Sequence, residues 1–284
     1  MLAKRMPTIL PPLTLSESLE TTKIYSVAGK LSKNASLVYT RPFRSPHHTV
    51  SDVALVGGGS NPQPGEISLS HNGVLFLDEL PEFKRSVLEV MRQPMEDRKV
   101  TISRSRFSVT YPASFMLVAS MNPCPCGYFN HPEKECVCGP GIVQKYLNKI
   151  SGPLLDRIDL HVEVTPVSFN ELSSERKTED SNTIREKVIR AREIQAKRFE
   201  QMEGMHCNAQ MEAQKVQEIC VISDQARMLL SKAMQRLNLS ARAYDRILKV
   251  ARTIADLANC EEIKTEHIAE AIQFRSLDRE NWGQ

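Results

Sequence analysis

The apolar pattern sorts this chain into strand-like and helix-like stretches. Val74-Leu75-Phe76-Leu77 is an unbroken apolar run followed at once by Asp78, Glu79 and Leu80. Such a run reads as a strand buried on both faces, with the two carboxylates where it emerges. Ser114–Ala119 (SFMLVA) reads as a second buried strand, with Asn122 just past its end. Shorter strands are expected at Ser36-Leu37-Val38-Tyr39 and from Asp159 onward in LLDRIDLHV (154–162). Residues 99–111 (KVTISRSRFSVTY) alternate, Val100, Ile102, Phe107 and Val109 against Thr101, Ser103, Ser108 and Thr110. That is a hairpin signature, with Arg104 and Arg106 near its tip. Helical spacing marks 82–95, with Val87, Leu88 and Met91 on one face and an end near Pro94. Leu2, Met6 and Ile9 share a helical face without a cap before them, and a polar helix starts at Ser16 after a Pro/Thr-rich stretch.

Beyond residue 182 the periodicity is helical throughout, over 183–201, 223–235, 241–258 and 265–275. Ser223, Ser240 and Thr265 stand as N-caps. The polar segment 166–182 (PVSFNELSSERKTEDSN) interrupts the pattern. These features predict an α/β domain with a parallel sheet over 1–165, a linker over 166–182 and an all-α domain over 183–284. Residues 56–66 (VGGGSNPQPGE) are a loop. Its glycines at 57–59 are not a phosphate cradle, because no Gly-Lys-Ser/Thr follows them.

Composition changes this picture little. The 284 residues are 41% hydrophobic, enough for two ordinary soluble domains. The net charge of +3 is too small to imply a nucleic-acid partner; residues 1–169 carry 18 Lys/Arg against 15 Asp/Glu, and the remainder 19 of each. No apolar run of about 18 residues exists and the start is no signal peptide, so a cytoplasmic protein without a membrane partner is expected. Seven cysteines in a reducing compartment point to metal or plain burial, not to disulfides.

Several residues carry candidate chemistry. Adjacent acids at the mouth of a buried strand suit Asp78 to position a metal and Glu79 to polarise water; two solvated acids capping a strand are the alternative. Asn122, past a neighbouring strand, could orient that water. Cys124-Pro-Cys126-Gly and Cys136-Val-Cys138-Gly, nine residues apart, have the look of a four-thiolate Zn²⁺ site, against reduced cysteines in a surface loop. Arg104 and Arg106 could form a basic finger toward phosphates, or simply keep a turn soluble. Arg157 between Asp156 and Asp159 reads as a local ion pair. Arg242, in the first turn of a helix, opposes the helix dipole, which suggests an anionic partner such as a phosphate. His47 and His48 receive no role, and Cys207, Cys220 and Cys260 lack ligand spacing.

Taken in order, VLFLDEL, Asn122, LLDRIDL and LSARAYDRILKVARTIADL resemble an AAA+ ATPase of the magnesium-chelatase branch. More closely, RPFRSPHHTVSDVALVGGGSNPQPGEISLSHNGVLFLDELPEF together with MNPCPCG resembles the ComM/YifB family of bacteria. The resemblance covers essentially the whole chain. It implies Asp78 and Glu79 as Walker B, Asn122 as sensor 1, Arg157 as an arginine finger acting on a neighbour's nucleotide, and Arg242 as sensor 2. It implies the Arg104/Arg106 hairpin as a pore element against DNA. It further implies ATP and Mg²⁺ as cofactors, and self-association into a ring, with six subunits expected.

One departure is large. No G-x-x-x-x-G-K-[ST] occurs in these 284 residues. The chain is therefore expected to be a piece starting just past that loop, with a strand missing from its sheet and no ATP hydrolysis of its own. Within the family the expected activity is an ATP-driven DNA motor for helicase or branch-migration work in competence and recombination. The alternative is the ATPase subunit of a magnesium chelatase.

Overall fold

A computed structural model describes residues 2–32, 36–103, 108–139, 141–164, 179–202 and 204–275. The chain divides into two compact units, one ending at Arg157 and the next beginning at Ile158.

The first unit is built on a three-stranded parallel sheet. Val74–Leu77 is its middle strand, flanked by Phe43–Arg44 and Met116–Ala119. All four middle-strand residues are buried, as the unbroken apolar run requires. Leu75 and Leu77 pack with Leu55, Ile67, Val87, Leu88 and Met91 in a single core. Gly73 enters this strand where a Cβ would lie 2.1 Å from the carbonyl oxygen of Pro42. Only glycine lets the chain approach so closely while Val74 N–H donates to that same carbonyl, 2.8 Å away. The expected hairpin is present, Lys99–Ser103 pairing antiparallel with Ser108–Pro112.

Several local expectations are corrected. Ser36–Tyr39 forms no strand. Val38 instead satisfies its backbone on the helix Leu15–Val27, donating to Thr22 Oγ1 (2.9 Å) and accepting from Ser18 Oγ (2.6 Å). The expected helix over 82–95 breaks into a 3₁₀ turn Leu80–Glu82 and two short helices, Arg85–Val90 and Arg92–Asp97. Pro94 lies in the first turn of the latter, where its missing N–H is not needed. Gly57–Gly58 and Gln63–Pro64 pair across the glycine loop as a small hairpin.

The strand expected from Asp159 does not form. His161 is buried while Leu160, Val162 and Val164 are exposed, the opposite phase to a strand burying its apolar residues. His161 N–H donates to the Phe274 carbonyl at 2.7 Å, so the segment belongs to the helical unit. The described unit boundary thus lies before the expected linker, most of which (166–178) falls outside the described residues.

That second unit holds Ser181–Arg198, Ala213–Ile219, Asp224–Arg236, Ala241–Leu257 and Thr265–Gln273. Ser223 and Ser240 are N-caps as expected, accepting from Ala226 and Ala243 N–H. Thr265 is not; Lys264 is the cap residue, and its N–H donates to His267 Nδ1 at 3.1 Å. Among the described residues no helix is long and apolar enough to cross a membrane. The architecture is a parallel-sheet α/β unit followed by an all-α unit, as expected for an AAA+ core and lid.

Candidate functional site

Register fixes the acid pair. Leu77 pairs with Ala119, and the ladder continues one step past both strands: Ser120 N–H donates to Leu77 O (3.0 Å) and Leu80 N–H to Ser120 O (2.9 Å). Asp78 and Ser120 are therefore opposite each other, and Ser120 Oγ donates to Asp78 Oδ1. The same carboxylate oxygen accepts from Glu79 N–H at 3.1 Å. Asp78 is held by two donors while remaining exposed. Glu79 takes the left-handed conformation (φ 55°, ψ 50°), which costs a non-glycine residue about 1–2 kcal/mol. Such strain concentrates where a side chain must be aimed. The turn leaves Glu79 exposed, with Oε2 3.4 Å from His48 Nδ1.

Asn122 follows Ser120 by two residues and is exposed. Its backbone is tied to the buried Tyr146, in the helix Ile142–Leu147. The Tyr146 hydroxyl is pushed above its ordinary pKa by burial first and by the charge of Glu82, with smaller contributions from Cys124 and Glu79, while a hydrogen bond from the Asn122 backbone acts the other way. One tyrosine thus lies within reach of Glu82, Glu79 and the Asn122 backbone.

Four thiols lie directly beyond. The Sγ atoms of Cys124, Cys126, Cys136 and Cys138 all fall within 4.8 Å of one another. Cys124–Cys126, Cys126–Cys136 and Cys124–Cys136 are 3.3, 3.6 and 3.7 Å apart. Zinc–sulfur bonds of about 2.3 Å in a tetrahedron require sulfur–sulfur edges of about 3.8 Å, so the cluster needs little movement to grip such a cation. All four are free thiols. Cys126 is pulled down to about 6, chiefly by the Tyr128 backbone hydrogen bond. Cys136 is pushed up to about 12: the Cys138 backbone hydrogen bond lowers it, but burial and the neighbouring thiols outweigh that bond. Sulfurs this close cannot all ionise without a cation between them. His131, the remaining conceivable ligand, has Nδ1 occupied by the N–H groups of Glu133 and Lys134.

Arg157 is buried, ion-paired to Glu96 at 2.7 Å and bonded to the Pro153 carbonyl at 2.6 Å, not to its neighbouring aspartates. Its Nε has no partner among the described residues. Arg242 belongs to the second unit, where it is exposed in the first turn of Ala241–Leu257. Arg104 and Arg106 lie outside the described residues, in the sequence between the paired Ser103 and Ser108. Sequence reasoning missed Ser120, Tyr146 and His48. Ser120 was within reach, since aligning the ends of the two buried strands places it beside Asp78.

Comparison with known proteins agrees with this geometry. Residues 1–172 match the family described as magnesium chelatase, subunit ChlI, and residues 178–275 match its C-terminal family. The chain is 44% identical to the uncharacterized protein YifB of Salmonella typhimurium, over 98% of this chain and 54% of that protein. It is also 44% identical to competence protein ComM of Haemophilus influenzae, over 98% of this chain and 53% of that one. A more distant match, at 25% identity, is magnesium-chelatase subunit ChlI-2 of Arabidopsis thaliana, over 76% of this chain and 46% of that protein. The chain spans about half the length of the curated relatives it matches. A parallel sheet delivering Asp78 and Glu79 beside Ser120, an all-α unit following it in the chain, and these matches have one reading: the chain belongs to the magnesium chelatase ChlI family, in the branch that contains YifB and ComM.

Proposed function

We propose that the protein to which this chain belongs is an ATP-driven ring motor acting on DNA, with a hexamer as its working form. The observation that carries the hydrolytic half is the in-register placement of Asp78 and Glu79 at the end of the middle strand, beside the strand that leads to Asn122. Bound Mg²⁺ and ATP supply the phosphoryl group and neutralise its charge. Asp78, pre-oriented by Ser120, is the residue to hold the magnesium. Glu79 accepts a proton from the attacking water, and Asn122 fixes that water's orientation. Arg157 is the candidate to offset developing charge on a neighbouring subunit's nucleotide, a role that requires it to exchange its Glu96 partner. Arg242 reads nucleotide state from the helical unit. The phosphate loop is no part of these 284 residues, so hydrolysis is assigned to the whole protein and not to this chain alone.

The relative named as a competence protein supports DNA as the substrate, since competence is the uptake of DNA. Arg104 and Arg106, at the tip of a hairpin, are the candidate contacts. Whole-gene protein is expected to shift forked or four-way DNA on a gel, with affinity falling steeply as salt rises. Arg104→Ala/Arg106→Ala should weaken binding and reduce the salt slope by about one per arginine that touches a phosphate. No salt-dependent shift would instead favour the second reading, a metal-chelatase ATPase, which the ChlI-2 match supports.

The four cysteines are proposed to hold one zinc ion, which fastens a loop short of apolar residues. Metal analysis of protein never exposed to chelator should give one zinc per chain. Far less than one would remove the assignment.

A further inference from the structure

We infer that His48 is the positioning residue for the Glu79 carboxylate, its Nδ1 facing Oε2 and holding the base in its working direction. This rests on Glu79 acting as the base, as proposed above.

The case is geometric. Glu79 is an exposed side chain on a left-handed residue, and an unrestrained glutamate there would populate many rotamers. His48 Nδ1 lies 3.4 Å from its Oε2, an ion pair whenever the imidazole is protonated. An ionised carboxylate only accepts, so the ring nitrogen facing it must carry the proton. His48 is itself braced. Its ring lies 4.1 Å from that of His47 and edge-on to the buried Phe83, 6.3 Å away. His47 is locked in turn. Its carbonyl accepts from Val50 N–H (2.9 Å), and its Nδ1 accepts from Thr49 N–H at 3.4 Å. Nδ1 of His47 accepts, whereas a neutral His48 that holds the Glu79 carboxylate must present a protonated Nδ1. Glu79 and Phe83 are the two cap residues of the 3₁₀ turn Leu80–Glu82, so one turn carries both the base and the ring behind His48.

Two measurements test this separately from the hydrolytic reading. Long-range proton–nitrogen correlation spectra of neutral His48 should show Nδ1 protonated in the wild type. In Glu79→Ala the proton should move to Nε2, the tautomer that an unpaired imidazole prefers. An unchanged tautomer would overturn the inference. In whole-gene protein, His48→Ala should lower kcat for ATP hydrolysis by about tenfold with KM for ATP unchanged, because a misaimed base loses alignment and not nucleotide affinity. His48→Asn, whose amide N–H occupies the place of Nδ1, should recover part of that loss. If Glu79→Gln abolishes hydrolysis but His48→Ala matches the wild type, the inference is wrong while the base assignment stands. Should Glu79→Gln remain active, the base assignment fails, and the tautomer measurement alone decides whether the pair exists.

Discussion

Replacing Glu79 by Gln should leave ATP binding intact and reduce steady-state phosphate release from whole-gene protein by about 10³-fold. The substitution keeps side-chain shape, and with it the left-handed turn that presents residue 79. It removes only the ability to take a proton, a contribution on the order of 10²–10⁴ when a positioned base is lost. Asp78 keeps its Ser120 donor and its bond from residue 79 N–H, so the metal-holding side of the site is undisturbed. Filter binding of labelled ATP beside a phosphate-release assay checks both halves. Loss of nucleotide binding together with hydrolysis would show that Glu79 is structural.

Asp256→Ala should unfold the helical unit at much lower denaturant than the wild type. The Asp256 side chain is fully buried and accepts from Arg198 at 2.6 and 2.8 Å, from Asn208 Nδ2 at 2.7 Å and from Arg252 Nε at 3.1 Å. Arg252 is itself buried, its other guanidinium nitrogens spent on the Cys260 and Glu261 carbonyls. Removing the carboxylate strands buried positive charge, which costs about 3–5 kcal/mol. That is a large part of what holds a unit of this size together. The sign with pH follows. Burial raises the Asp256 carboxyl, but Arg198, Asn208 and Arg252 outweigh burial and set it below its ordinary value of 3.8. A group depressed on folding contributes above its unfolded pKa and is lost as pH falls through the folded one. The stability gap between wild type and Asp256→Ala should therefore be full at neutral pH and close below about pH 4. Urea titrations at several pH values measure it, and a gap under about 1 kcal/mol at pH 7 would contradict the role given to the network.

What could be read from the chain was whatever is written in local pattern. Val74–Leu77 announces its burial by having no polar partner in the run, and the two Cys-x-Cys pairs give a four-sulfur cluster without any structure. Ser223 and Ser240 cap helices because capping is a three-residue affair. The failures involve choices made by distant residues. Val38 looks like a strand residue until Ser18 and Thr22 take its backbone bonds. The alternation at 158–162 is genuine, yet its phase is set by Phe274, more than a hundred residues away. Arg157 was read as pairing with adjacent aspartates, while its partner is Glu96, supplied by a different helix. In the candidate site the position of the acids was legible because they follow a buried strand directly. Ser120 was within reach by aligning the two strand ends, whereas His48 was not, because its importance lies in which atom it faces.

The most direct measurement is the structure of whole-gene Glu79→Gln protein trapped with ATP and Mg²⁺. The expected result is magnesium reached by the Asp78 carboxylate, directly or through one water, with residue 79 and Asn122 flanking the terminal phosphate. Nucleotide bound with its metal remote from Asp78, and with Asn122 facing away from the phosphates, would contradict the assignment of this strand end as the hydrolytic centre.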